Sequence, residues 1–302
     1  MPSARVLALG ALLLSSFIWG ANTPIMKWSL GAIPLFSLAF LRFYLATIFL
    51  FPFVIKSLKI RKKDLLKIIL AALFGITFNV SFFFLGLKLT FAVNAALIIA
   101  TIPIFTVAAA QIFLKEKIGG RLILATLIAI LGLLAIIGPP ILNFGLTHLF
   151  GGIFLILASL FWVGYEILSK DLFKKYSAQT ITFYSFLIGS LSFLPFFLWE
   201  LSSSPWLLNL KFQGITGIIY GAIFSSTIAY LAWEYGLSKI KASEASFFFY
   251  LDPISGVLLS ILLLGEKITP SCIFGGLLII LAVILAEAKR KEFPLHKKLT
   301  KS

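Results

Sequence analysis

Apolar runs of about 20 residues, separated by short polar or basic segments, recur from one end of the chain to the other. Ten are predicted as spans: 6–26, 34–55, 65–87, 92–114, 120–140, 149–169, 179–199, 212–236, 244–264 and 270–288. About 20 residues at 1.5 Å each cross a hydrocarbon core of about 30 Å, and a helix bonds its own backbone polar groups there. The pattern therefore predicts an all-α integral membrane protein. The first span, with Arg5 ahead of it, also has the outline of a signal peptide. No small-residue cleavage site follows, and the span has a counterpart later in the chain, so it is read as the first membrane helix.

That counterpart belongs to a repeat. At an offset of 143 residues Ser16, Trp19, Lys27 and Pro52 meet Ser159, Trp162, Lys170 and Pro195. A longer loop around Ser202–Pro205 then moves the offset to 150. There Gly86-Leu87 meets Gly236-Leu237, Pro103 meets Pro253, and Glu116-Lys117-Ile118 meets Glu266-Lys267-Ile268. The matches run in the same order in both copies. Five spans per copy is an odd number, so the second copy enters the membrane upside down. The predicted organisation is a first five-helix repeat over 6–140, an inverted second repeat over 149–288 and a basic tail over 289–302. Inverted repeats are a device for alternating access, with the substrate held near the midplane between the copies.

Charge orients the helices. With both termini cytoplasmic, the inner segments hold 21 Lys and Arg residues and the outer segments 4, with Arg42 inside a span. This is the positive-inside pattern of a multi-pass protein of the plasma membrane. Composition adds that 60% of residues are hydrophobic and 12% charged, with mean hydropathy +1.07 and net charge +15. A soluble domain of this length needs more charge on its exterior. The basic residues lie between apolar runs and form no basic–aromatic module, so they point to anionic lipid and away from nucleic acid. The single cysteine, Cys272, excludes a disulfide framework, and the distant His148 and His296 do not suggest a metal or His-based catalytic site. No Gly-Lys-Ser/Thr phosphate loop is present, so no nucleotide cofactor is expected.

Several of these features occur together in one known family. Ser16-Phe17-Ile18-Trp19-Gly20, Arg42 in the second span and a proline in the fourth and ninth spans are joined by Lys115-Glu116-Lys117-Ile118 and Gly265-Glu266-Lys267-Ile268. A last span bearing Gly132, or Gly275-Gly276, follows each of these stretches. With this duplicated set the chain resembles the EamA-type ten-span members of the drug/metabolite transporter superfamily, over about residues 6–288. The resemblance implies transport of small metabolites without ATP hydrolysis, often as efflux. The family's substrates run from amino acids to nucleotide precursors, drugs and sugars.

Candidate site residues follow from the cost of polar groups in hydrocarbon. Arg42 and Asp252 are ionisable and lie deep in spans two and nine. Counted from the span ends at 1.5 Å per residue, their depths differ by only about 5 Å. They could hold a substrate or a coupling proton, or form a structural pair. Glu166 stands four residues before Lys170, which suits an intrahelical pair, whereas Glu234 has no basic residue at that spacing on its C-terminal side. Glu244 suits a helix N-terminus, and Glu116 and Glu266 flank lysines at helix ends. Trp19 and Trp162 sit at equivalent central positions and could wall a cavity or simply pack. Asn22, Asn79, Asn94, Tyr165 and Tyr230 add hydrogen-bonding groups, for a substrate or between helices. Pro103 and Pro253 free the carbonyls of Ile99 and Phe249, as hinges or plain kinks. The expectation is a non-enzymatic secondary transporter that exports small organic metabolites such as amino acids by alternating access. Membrane lipid is its surroundings, and protons are a candidate coupling ion. An integral membrane enzyme or lipid-handling protein remains the alternative, and would need acid–base or metal groups clustered at one membrane face.

Overall fold

The structure is a computed structural model that describes residues 4–100, 102–116, 119–141, 146–265 and 270–287. Glu266-Lys267-Ile268, Lys117-Ile118 and the tail over 289–302 lie outside the described residues, as does the side chain of His148. The protein is an all-α membrane protein. Among the described residues seven helices are long and apolar enough to cross a bilayer: Ala4–Ser29, Leu35–Val54, Lys62–Leu89, Leu149–Leu172, Ala178–Ser203, Phe212–Lys239 and Ala242–Leu264. Shorter apolar helices cover Ile102–Phe113, Gly120–Gly132 and Ile273–Ala282.

In chain order the regular helices are α1 (Ala4–Ser29), α2 (Leu35–Val54), α3 (Leu65–Ala72), α4 (Asn79–Leu89), α5 (Ala92–Ile99), α6 (Ile102–Phe113) and α7 (Gly120–Ile141). They continue as α8 (Leu146–Leu172), α9 (Ala178–Ser203), α10 (Phe212–Ile219), α11 (Ala229–Lys239), α12 (Ala242–Ala245), α13 (Asp252–Leu264) and α14 (Pro270–Glu287). A π-helical stretch, Leu73–Phe78, joins α3 to α4, and a second, Tyr220–Ile228, joins α10 to α11. The spans expected over 92–114 and 244–264 as single helices are interrupted. One stops at Ile99 and resumes at Ile102, next to Pro103. The other passes through a 3-10 segment, Ser246–Leu251, before α13 starts with Pro253 in its first turn. Proline supplies no N–H and crowds the preceding turn, so each break sits where the residue type demands it.

Packing follows close approaches at small residues, as expected where lipid gives no hydrophobic drive between helices. A Cβ on Gly20 would lie 2.1 Å from the Asp252 carbonyl oxygen, so α1 and α13 meet backbone to backbone. Leu12 of α1 fills the space over Gly236 of α11, and Leu155 of α8 fills the space over Gly86 of α4. Residues 86 and 236 differ by 150, and 12 and 155 by 143, the two offsets of the sequence repeat. Gly132 brings α7 against the backbone of Gly275 in α14.

The same offsets recur in two polar straps. Lys27 Nζ donates to the carbonyls of Leu87, at 2.7 Å, and Thr90. Lys170 Nζ donates to the carbonyls of Leu237 and Ile240. Each strap anchors a helix end to the turn between two others. The expected Glu166–Lys170 pair does not form, because those carbonyls hold the Lys170 ammonium. Glu116 accepts hydrogen bonds from Ala242 N (3.0 Å), Ser243 N (3.2 Å) and Ser243 Oγ (2.5 Å), and so caps α12. Glu244 lies in the first turn of α12 and pairs with Arg5 at 3.2 Å.

Replacing Glu116 with alanine leaves two backbone N–H groups of α12 unbonded. The variant is expected to lose about 1–2 kcal/mol of stability, read as a lower Tm in detergent. An unchanged Tm would show that the cap contributes nothing.

Candidate functional site

Irregular stretches of the spans leave backbone carbonyls that the helix no longer uses, and side chains from other helices take three of them. Trp19 Nε1 donates to Ser225 O at 2.9 Å, in the second π stretch. Tyr230 Oη reaches Gly75 O at 3.5 Å, in the first. Ser225 and Gly75 are 150 apart, so the two π stretches present corresponding carbonyls. Ser16 Oγ donates to Phe248 O at 2.8 Å in the 3-10 segment. The released carbonyl that gains a side-chain partner is thus Phe248, one residue before the expected Phe249. Tyr220 Oη donates to Ile18 O at 2.7 Å, and Asn79 Nδ2 to Ala158 O at 2.8 Å.

These bonds frame a cavity of about 650 Å³ of empty space, its mouth included. Trp19, Trp162, Tyr230 and Phe249 form its aromatic floor. The Trp19 and Trp162 rings meet edge to face at 5.2 Å, Trp19 and Tyr230 at 5.1 Å, and Trp19 stacks on Phe249 at 5.7 Å. Trp233 closes the cluster from beneath, 4.3 Å from Phe249 and 5.4 Å from Trp19. Asn22, Thr23, Asn79 and Phe83 line the walls, with Ser159 from α8 and Ile99 from α5. These wall residues lie between the aromatic floor and the end of the bundle where α1 finishes at Ser29. Toward the opposite end, where α1 starts at Ala4, Leu12, Trp233, Glu166 and Glu234 are fully buried.

Both buried ions of the midsection reach this cavity. Arg42, 3% exposed, donates from Nη2 to Ser225 Oγ (2.9 Å) and from Nε to Ser226 Oγ (3.1 Å). Its guanidinium lies 4.6 Å from the Phe43 ring centre. Asp252, 4% exposed, starts α13 and faces the cavity from the other wall. Among the described residues no ion pair joins the two. Asp252 Oδ1 and Asn22 Oδ1 are buried without a hydrogen-bond partner. An unmatched acceptor in hydrocarbon costs several kcal/mol, so these two atoms mark where a donor from a ligand would be favoured.

Of the residues singled out in the sequence, Trp19, Asn22, Arg42, Asn79, Trp162, Tyr230 and Asp252 converge on the cavity. Asn94 is not among its lining residues. Tyr165 and Glu234 lie under the floor, both fully buried. Pro103 and Pro253 mark the two helix breaks. Sequence reasoning missed Ser225, Ser226, Thr23 and Phe249. Serines 225 and 226 carried no signal of their own, since serine in a membrane helix commonly bonds its own backbone.

A model of the EamA-like transporter family matches residues 6–138 and again 149–287. The chain belongs to the EamA-like transporter family. An uncharacterized transporter of Archaeoglobus fulgidus is 28% identical over 93% of this chain and 97% of its own. The uncharacterized transporter YyaM of Bacillus subtilis is 31% identical, with 90% of each chain covered. A solved crystal structure aligns with a TM-score of 0.72 over 96% of this chain and 98% of its own, at 19% identity, and shows the same fold. Family membership places the protein among membrane transporters and not among membrane enzymes.

Cysteine accessibility tests the position of the cavity. In a Cys272→Ser background, Thr23→Cys is expected to react with a charged, water-soluble thiol reagent much faster than Ser169→Cys beneath the floor. Equal rates would contradict the cavity.

Proposed function

We propose that the protein is a secondary transporter that exports a small organic metabolite, such as an amino acid or a related compound, across the plasma membrane. The observation that carries this reading is the juxtaposition in one cavity of a guanidinium, an unpartnered carboxylate oxygen and an aromatic floor. Arg42 offers a carboxylate partner, Asp252 an ammonium or hydroxyl partner, and the two indoles a flat surface that accepts many organic groups. Intramembrane charges of this kind mark substrate or ion pathways.

The ten-span reading, with inverted repeats over 6–140 and 149–288, has three supports. The same family model matches the chain twice, at starts 143 apart. The Lys27 and Lys170 straps, and the Gly86 and Gly236 contacts, pair residues at the sequence offsets. The π stretches and the proline breaks fall at corresponding places in the two copies. With both termini cytoplasmic, as the 21-to-4 distribution of basic residues favours, the Ser29 end is outside and the cavity faces outward. Alternating access then opens the Ala4 end while the Ser29 end closes.

Comparison of solutes released by expressing and non-expressing cells tests the reading. Expression is expected to raise the external level of one or a few small organic compounds. Trp19→Ala and Asp252→Asn should each cut that release by about tenfold or more, the equivalent of about 1.4 kcal/mol of lost binding, at unchanged protein level. Release that is unaffected by either substitution would defeat the assignment of the cavity. A reporter fused after Ser302 that is active only outside would reverse the orientation.

A further inference from the structure

The repeat, applied to the cavity, names the residues that a cavity opening at the other end would expose. At the two offsets, Asn22, Thr23 and Phe83 correspond to Tyr165, Glu166 and Trp233. Ala158 and Ser159 correspond to Ser15 and Ser16, and Ile102 to Asp252. The first three correspondents lie packed beneath the aromatic floor. Their polar atoms are poorly matched: Trp233 Nε1 and Ser15 Oγ have no hydrogen-bond partner, Glu166 Oε1 forms no well-aligned bond, and Tyr165 Oη has only the Glu234 carboxylate and Ser169 beside it. Unpartnered groups thus gather at the positions the repeat assigns to the closed vestibule.

The two vestibules differ in charge. Thr23 and Phe84 of the open half are replaced by Glu166 and Glu234. Both carboxylates are fully buried. Glu166 accepts a hydrogen bond from Thr106 Oγ1 at 2.7 Å and lies beside Trp162, and the Glu234 carboxylate lies beside the Tyr165 hydroxyl. The charged groups near enough to act on them are each other, Glu116 after α6 on Glu166 and Lys170 on Glu234, and Glu244 on α12 acts on Lys170. Glu116 is committed to the α12 cap and Glu244 to Arg5. The Lys170 ammonium is held by two carbonyls. Neither carboxylate is bonded to a cation, and the residues beside them are aromatic: Trp162 at Glu166 and Tyr165 at Glu234, with Trp233 6.2 Å from Trp162. Carboxylates beside aromatic faces recognise organic cations.

We propose that the closed half of the protein contains a second binding station, formed by Glu166, Glu234, Tyr165 and Trp233, that takes the ammonium group of an organic solute when that half opens. The station rests on the alternating-access reading above. When the Ala4 end is open the ammonium group meets Glu166 and Glu234, and when the Ser29 end is open it meets Asp252, so each side offers it a carboxylate.

The test uses the full-length purified protein in detergent and radiolabelled phenethylammonium, with 3-phenylpropanoate as the matched anion. Phenethylammonium is expected to bind more tightly than 3-phenylpropanoate. Glu166→Gln and Glu234→Gln should each weaken it by about tenfold, equivalent to about 1.4 kcal/mol. Glu234→Asp, which keeps the charge, should retain most of the binding and guards against misreading a folding defect. Equal competition by sodium chloride, or full phenethylammonium binding in both glutamine variants, would overturn the station. Labelling of Ser15→Cys, in the Cys272→Ser background, separates this failure from failure of the underlying reading. If Ser15→Cys reacts from the Ala4 side while phenethylammonium does not bind, the vestibule opens but is no cation station. If Ser15→Cys never reacts, alternating access itself fails and the station with it.

Discussion

Hydrocarbon cannot hydrogen-bond, and this constraint organises the molecule. A continuous helix meets it without help, but among the described residues the spans depart from continuous α-helix at the two π stretches and at the breaks beside Pro103 and Pro253. Irregular backbone at membrane depth survives only when protein or a wet cavity supplies the missing partners. Trp19, Tyr230 and Ser16 supply them to Ser225, Gly75 and Phe248. The side chains that repair the backbone are largely those that build the cavity, so the aromatic floor and the helix breaks are two aspects of one arrangement.

Buried charge follows the same logic. Arg42 survives because two serine hydroxyls and the face of Phe43 surround it. Lys27 and Lys170 survive because each gathers two carbonyls at a helix turn. Asp252, Glu166 and Glu234 keep oxygens with no such support. In a soluble protein water would resolve the difference. In a transporter the unmatched acceptors are explained if the solute, or the water that enters with it, is their partner during the cycle.

Much of this was legible in the sequence, for identifiable reasons. Apolar length located the helices, and the offsets of 143 and 150 paired Trp19 with Trp162 and Pro103 with Pro253 before any coordinates. Arg42 and Asp252 stood out because charge is rare in hydrocarbon. The π stretches were invisible because they have the same apolar composition as the helices around them. Ser225 and Ser226 were invisible because a serine does not announce whether it faces its own backbone or a guanidinium. Glu166 was read with Lys170 on local spacing, and a non-local pair of carbonyls won the lysine instead. Local rules fail where a helix turn distant in sequence competes for the same group.

The central claim is that one arrangement of these repeats alternates with its mirror across the membrane. The most direct measurement places spin-label pairs at Lys174 and Lys241 on the Ala4 end, and at the corresponding Gly31 and Phe91 on the Ser29 end. Distance distributions in reconstituted protein are then recorded by pulsed electron resonance. The account predicts two populations at each end that change in opposite senses: when the Lys174–Lys241 distance lengthens, the Gly31–Phe91 distance shortens. A single unchanging distance at both ends, or lengthening at both together, would contradict it.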